Sequence, residues 1–78
     1  MYPVQCKMAR AALGWGIRDL AKVAKVSADT VSRLERGEVL QERTLDALRI
    51  AFESAGIQFI AEDVAGPGVR LRIPIKLP

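Results

Sequence analysis

The stretch that decides the fold is residues 17–36, with the sequence IRDLAKVAKVSADTVSRLER. Its apolar residues recur at helical spacing on either side of a small break at residues 25–27: Leu20, Ala21, Ala24, Val26, Val31 and Leu34. Ser27 is a residue type that caps the start of a helix, so a second helix is expected directly after it. Helices this short cannot each support a core, and their apolar faces must therefore pack on each other and on neighbouring elements.

The segments before and after this stretch predict two more helices. Pro3 fits the first turn of a helix, since that position needs no backbone donor, and Gly14 and Gly16 favour a turn after it. The four predicted helices cover residues 3–13, 17–25, 28–36 and 44–55. The stripe expected to be buried in the first of them consists of Val4, Met8, Ala11 or Ala12, and Leu13. We interpret Trp15 as a plug of the core beneath the turn, with stacking on a ligand as the alternative.

Beyond Gly56 the periodicity changes from helical to alternating. Residues 57–62 and 69–77 alternate apolar and polar side chains, and a turn-forming segment rich in glycine separates them, which predicts a β-hairpin. We therefore expect a mainly α fold, with a helical domain over residues 1–56 and a C-terminal β-hairpin extension over residues 57–78.

The predicted hairpin has one apolar and one basic face. The apolar face carries Ile57, Phe59, Val69, Leu71, Ile73 and Ile75, and the basic face carries Arg70, Arg72 and Lys76. An isolated two-stranded hairpin is marginal in water, so this one must pack on the helices or join another sheet. Because it combines an unpaired edge with a fully apolar face, we expect it to serve self-association. The basic face is either solvated or in contact with phosphate groups.

Size and composition limit the class of protein. The chain has 78 residues, enough for one domain, and half of them are apolar and about a quarter charged, which is typical of a globular protein. No apolar run approaches the ~18 residues of a membrane span, and no secretory leader is evident. We expect a soluble, cytoplasmic protein without a membrane partner. The net charge of +3 is a modest excess that can attract polyanions.

The sequence contains a single cysteine and no histidine. Cys6 permits no internal disulfide, which fits a reducing compartment; it is either a reactive or bridging thiol or a small, partly buried helix residue. The absence of histidine argues against a structural zinc site and against Ser-His or Cys-His nucleophile pairs. We expect no metal, no cofactor and no enzymatic activity.

Two short helices joined by a tight turn are typical of proteins that lay the second helix in the DNA major groove. The stretch resembles the lambda-repressor-like, or Xre-type, helix-turn-helix family of small bacterial or phage transcriptional regulators. The resemblance rests on Leu20 and Ala21 in the first helix of the pair, Val26 in the turn, and the segment TVSRLERG at residues 30–37. It covers about residues 1–56 and implies a four- to five-helix domain that binds double-stranded DNA.

The resemblance implies base-reading roles for solvent-facing residues of the third helix, namely Ala28, Asp29, Ser32 and Arg33. Arg33 can give two hydrogen bonds to guanine, Ser32 can reach several base edges, and Ala28 can touch a thymine methyl group. Asp29 either accepts a hydrogen bond from cytosine or stabilises the positive end of the helix dipole.

The resemblance also implies phosphate contacts from Arg18, Lys25, Thr30, Arg36 and Arg43, with Arg43 expected in the loop before the fourth helix. The alternative for each basic residue is a solvated surface charge. The chain departs from the family at Ile17, where glutamine often contacts DNA, and at Lys25, where glycine often forms the turn. Ile17 removes one expected contact, whereas Lys25 costs about 1 kcal/mol in left-handed backbone and adds a cation.

Arg10 and Glu35 occupy the positions at which the family ties its first helix to the recognition helix through an ion pair. A partly buried pair fixes the orientation of two helices more than it adds stability. The alternative is a pair of separate, exposed charges.

Together these features predict a sequence-specific DNA-binding regulator, usually a repressor in this family, that binds a two-fold symmetric operator as a homodimer. The alternative is an antitoxin-type or protein-interaction module in which the hairpin recruits a protein partner. Steep salt dependence together with a discrete footprint on DNA distinguishes the first function from the second.

Overall fold

Within residues 1–61 and 65–72, which the computed structural model describes, four helices precede a two-stranded hairpin. The elements are α1 (Pro3–Leu13), α2 (Ile17–Ala24), α3 (Ala28–Glu35), α4 (Glu42–Ser54), β1 (Ile57–Ile60) and β2 (Gly68–Leu71). The prediction of a mainly α fold with a C-terminal β-hairpin is confirmed. The helix boundary that differs most is the start of α4, which lies at Glu42 and not at residue 44, so Arg43 lies in its first turn and not in the preceding loop.

The turn between α2 and α3 is formed by a lysine in left-handed backbone. Lys25 has φ 60° and ψ 44°, and the next N–H, that of Val26, donates to the carbonyl of Ala21 at 3.0 Å. Ser27 is extended, and its Oγ accepts from the Thr30 N–H at 3.1 Å, which caps α3. These local bonds end one helix and start the next within three residues, and so fix the direction of α3.

The core lies where the four helices meet the hairpin. It consists of Cys6, Ala9, Leu20, Ala21, Val31, Leu34, Leu48, Ala51, Phe52 and Ile57. Phe52 is fully buried; Trp15 stacks on it with ring centroids 5.8 Å apart, and Phe59 meets it edge-on at 5.9 Å. Trp15 therefore packs where a core plug was predicted, beneath the turn that follows α1.

The buried face of α1 differs from the predicted stripe. Val4 is 45% exposed and Ala11 and Ala12 are also exposed, whereas Gln5, Cys6 and Ala9 are buried. The spacing of apolar residues misplaced the buried face of α1, because a glutamine was not expected among the buried residues. Burial of Gln5 leaves no polar atom of its side chain unpaired, because each has a hydrogen-bond partner within the protein.

The hairpin pairs within one chain and turns its apolar face to the helices. Ile57 pairs with Leu71 and Phe59 with Val69, and these four side chains lie in or against the core. This apolar face therefore packs on the helices of its own chain, one of the two arrangements that were expected, and self-association through the hairpin stays a prediction. Ile73 and Ile75 lie outside the described residues. The prediction that the hairpin serves dimerisation now depends on its strand edges.

Gln5 attaches the hairpin to α1. Its Nε2 donates to the carbonyl of Ile60 at 2.9 Å and to that of Gly68 at 3.0 Å, one in each strand. Its Oε1 accepts from the Tyr2 N–H at 2.9 Å, at the start of α1.

In the described part of the chain no helix is both long and apolar enough to cross a membrane.

Candidate nucleic-acid interface

The inner face of α3 is fixed by the core and by one ion pair. Val31 and Leu34 are buried among the other helices. Glu35 follows on the same side, and its carboxylate is bound by Arg10 of α1, with Nε 2.7 Å from Oε2 and Nη2 2.8 Å from Oε1. The side chain of Glu35 is 7% exposed and that of Arg10 20% exposed, so the two charges form a largely buried, bidentate pair and not two separate surface charges.

Two further groups complete this network. The thiol of Cys6 donates to Oε2 of Glu35 at 3.1 Å, and Arg10 Nη1 donates to the carbonyl of Trp15 at 3.2 Å. Burial alone would raise the pKa of Glu35, but hydrogen bonds from Arg10 and Cys6 and the nearby charges of Arg10 and Lys7 outweigh it and lower that pKa. Glu35 is therefore ionised at neutral pH, and the pair holds α1 and α3 in one orientation.

Cys6 itself is fully buried. Burial is the main cause that raises the pKa of its thiol, and the hydrogen bond to Glu35 and the negative charge of that residue raise it further, against the opposing charge of Arg10. A protonated, inaccessible thiol is a poor nucleophile. This geometry favours the structural interpretation of Cys6 over a reactive or bridging one.

The outer face of α3 presents four polar side chains to solvent. Asp29, Ser32, Arg33 and Arg36 follow one another at intervals of three, one and three residues, which places them along one side of a helix. Asp29 and Arg36 are exposed, and Ser32 and Arg33 are partly so. Ala28 lies at the border of this face: it is half-buried and packs against the core, so only part of its methyl group is available.

A carboxylate beyond the end of α3 binds both arginines of this face. Oε1 of Glu38 lies 3.1 Å from Nε of Arg33, and Oε2 lies 2.9 Å from Nη2 of Arg36. Hydrogen bonds from Arg36 and from Arg33 lower the pKa of Glu38, so it is ionised at neutral pH. No role was predicted for Glu38 from the sequence. The signal was a carboxylate directly after the terminating Gly37, which returns the chain towards the last turn of α3.

The residues predicted to contact phosphate lie on several elements. Arg18 in the first turn of α2, Lys25 in the turn and Arg43 in the first turn of α4 are all exposed. Thr30 is half-buried, and its Oγ1 shares a hydrogen bond of 2.8 Å with Oγ of Ser27. Arg36 is exposed but is held by Glu38. The structure thus groups Arg33 and Arg36 on one carboxylate, whereas Arg18, Lys25 and Arg43 are exposed on three other segments of the chain.

The first turn of α2 contains a second missed residue. Asp19 Oδ2 accepts from the Gly16 N–H at 2.7 Å and so satisfies a backbone donor at the start of α2. The N–H groups at the start of a helix can bind a phosphate. Asp19 takes one of them and adds a negative charge, which leaves Arg18 as the main attractive group there.

None of the described residues form a cluster of three or more cysteine or acidic side chains that could hold a metal ion. The outer face of α3 offers hydrogen-bond donors and acceptors. The positive charges of its two arginines are offset by the carboxylates of Asp29 and Glu38.

A family model described as a helix-turn-helix domain matches residues 5–51, which run from α1 to the last turns of α4 and include both helices of the pair. The matched part is more than half of the 78-residue chain. Among curated proteins no match to the chain is found.

Proposed function

Since the chain belongs to the helix-turn-helix domain family, we propose that it is a sequence-specific DNA-binding regulator that inserts α3 into the major groove. The observation that carries this proposal is the division of α3 into two faces. Val31, Leu34 and Glu35 are fixed against the other helices, while Asp29 and Arg33 project outwards with no role in the core. The major groove is about 12 Å wide and admits a helix. A helix that the core holds on one side can present the polar side chains of its other side to the bases there.

Base readout falls mainly to Arg33 and Ser32. Arg33 has terminal nitrogens that can donate two parallel hydrogen bonds to O6 and N7 of guanine, and Ser32, one position before it, can reach a neighbouring base edge. Asp29, in the first turn, accepts from cytosine or serves the helix dipole. Ala28 contributes a smaller apolar contact, because it is half-buried.

Phosphate contacts surround this readout. Exposed cations are supplied by Arg18 on α2, Lys25 in the turn and Arg43 on α4, and Arg36 supplies a fourth at the end of α3. Thr30 offers a hydroxyl beside the capped start of α3. Such contacts set register and affinity but carry no sequence information. The overall charge of +3 agrees with an anionic partner.

We further propose the lambda-repressor-like, or Xre-type, branch of the family and a homodimer as the active form. The segment TVSRLERG and the Arg10–Glu35 pair support the branch. An eight-residue helix touches only a few base pairs, so a unique site requires a second copy about one turn of DNA, roughly 34 Å, away. Occupation of an operator then represses transcription by excluding polymerase.

Selection of bound sites from a random duplex pool tests this function. We expect enrichment of a two-fold symmetric consensus that contains guanine in each half-site. Arg33→Ala should erase the preference at that guanine, and Arg43→Ala should weaken binding to all sequences alike and reduce the magnitude of the salt slope by about 1. Absence of any enriched sequence would contradict the proposal and favour a protein-interaction module.

A further inference from the structure

The C-terminal end of α3 holds two arginines on one carboxylate. Glu38 accepts from Nε of Arg33 through Oε1 and from Nη2 of Arg36 through Oε2. Each oxygen therefore serves a different guanidinium group, and the three side chains form a fork at the edge of the proposed DNA-reading face. The cluster is exposed, with the side chains of Arg33 and Glu38 42% and 45% accessible, so a ligand can approach it.

The backbone fixes the position of this carboxylate. Gly37 has φ 92°, and its N–H donates to the carbonyl of Leu34 at 2.9 Å. The N–H of Glu38 donates to the carbonyl of Arg33 at 3.0 Å. These two bonds form a Schellman motif, in which the residue after the glycine makes a backbone hydrogen bond to the last turn of the helix. Glu38 is thus anchored by its main chain to the residue that its side chain binds.

The bond to Glu38 determines which donors of Arg33 remain available. A guanidinium group carries five N–H donors in a plane. The carboxylate occupies the one on Nε, and within residues 1–61 and 65–72 neither terminal nitrogen of Arg33 has a hydrogen-bond partner. The free edge, formed by Nη1 and Nη2, is the one that can donate two parallel bonds to a guanine.

We propose that Glu38 is a positioning residue that orients Arg33 for discrimination of guanine, an inference that rests on the DNA-reading function proposed above. A flexible arginine can bind phosphates and several base edges, whereas one held at Nε presents a single edge in a single direction. The negative charge of Glu38 also opposes attachment of the cluster to phosphates. Glu38 therefore contributes to selectivity more than to total affinity.

The test compares binding of variants to two duplexes, the selected site and the same site with the guanine opposite Arg33 replaced by adenine. For Glu38→Ala we expect the ratio of the two dissociation constants to fall roughly tenfold, within the range for residues of one hydrogen-bond network. Affinity for random duplex should rise, because a charge that repels phosphate is gone. Glu38→Gln, which keeps one acceptor oxygen, should restore part of the discrimination.

Two controls separate positioning from charge and from folding. Glu53→Ala removes an equally exposed carboxylate that is paired with Arg49 on α4 at 3.6 Å, and it should leave the discrimination ratio unchanged. In the Arg33→Ala background, Glu38→Ala should have no further effect on the ratio. Thermal unfolding of each variant should stay close to that of the wild type, because Glu38 lies outside the core.

The outcomes distinguish the two proposals. If the wild type selects no sequence, both the DNA-reading function and the positioning role are overturned. If the wild type selects a site and Glu38→Ala keeps its full preference for guanine, only the positioning role is overturned. A gain in affinity for the selected site with an unchanged ratio would show that Glu38 withholds Arg33 from DNA, and this too would overturn the proposal.

Discussion

Arg10 and Glu35 join α1 to α3 through two parallel hydrogen bonds, from Nε to Oε2 at 2.7 Å and from Nη2 to Oε1 at 2.8 Å. The pair lies on the inner side of α3, opposite the face proposed to read DNA. Both bonds are charge-assisted and both side chains are largely buried. The orientation of α3 therefore depends on a contact that lies away from the proposed DNA-reading face.

Removal of Glu35 should destabilise the protein strongly. Glu35→Ala leaves the Arg10 guanidinium and the Cys6 thiol without their acceptor in a largely buried place, and we expect a loss of about 3 kcal/mol in the free energy of unfolding. Urea unfolding followed by circular dichroism measures it. Glu53→Ala, which breaks an exposed ion pair on α4, is the matched control and should change little. Equal midpoints for the two variants would contradict this prediction.

The same carboxylate should make stability depend on acid pH. The pKa of Glu35 is lower in the folded protein than its ordinary value of 4.5, so its stabilising contribution is present above pH 4.5 and is lost as the pH falls through the folded pKa. The free energy of unfolding of the wild type should therefore decline below about pH 4.5 more steeply than that of Glu35→Gln. Denaturant titrations between pH 7 and pH 2 on both proteins check this; parallel curves would count against it.

Cys6 should resist thiol reagents in the native protein. It is fully buried and its raised pKa keeps it protonated, so labelling must wait for the chain to open. With a chromogenic disulfide at pH 8, the labelling rate should follow the unfolding equilibrium as denaturant is added, and the unfolded chain should react at once. Rapid labelling without denaturant would instead support the reactive interpretation of this residue.

The N–H groups of the Gln5 amide should contribute to the stability of the protein in addition to the volume that the side chain fills. Gln5→Glu places a carboxylate oxygen against the carbonyls of Ile60 and Gly68, which now receive a hydrogen bond each, and should destabilise the protein by about 3 kcal/mol at pH 7. Gln5→Met, similar in volume, should cost less because it adds no charge. Gln58→Glu, an exposed change on β1, is the control and should have little effect. The reverse order of the two Gln5 variants would refute this account.

Lys25→Gly should stabilise the turn between α2 and α3. Lys25 has φ 60°, which glycine adopts without the cost that a side chain incurs, although the greater freedom of glycine in the unfolded chain offsets part of the gain. We expect a rise of about 0.5 kcal/mol in the free energy of unfolding. Lys22→Gly, three residues earlier and inside α2, should lower it by about 1 kcal/mol. A loss of stability in both variants would show that the left-handed backbone is not strained by lysine.

Local signals were sufficient to predict most of the helices. The local features are Ser27 as a cap, Gly14 and Gly16 as turn residues, and the spacing of Leu20 and Val31. The structure has helices where these features indicate them. The start of α4 was predicted at residue 44 and not at Glu42, because the residue before it, Gln41, is not a proline, a glycine or a residue type that caps helices.

Features that depend on distant residues were not predictable in the same way. The burial of Gln5 depends on carbonyls 55 and 63 residues away, so no local pattern marks that face of α1. The fork at Glu38 depends on the exact return of the chain after Gly37. The candidate site residues on α3 come from the family resemblance, and their DNA contacts stay predictions for the experiments described above.

Because Ile57 is part of the core, it bears on how short a segment of this protein can be and still fold on its own. A chain cut after Gly56 would lose a fully buried side chain and leave the amide of Gln5 facing two missing acceptors. We therefore expect that the helices that carry the proposed recognition surface do not fold as a separate module. Any fusion, graft or truncation that aims to preserve that surface has to keep the chain as far as Leu71, the last residue of β2.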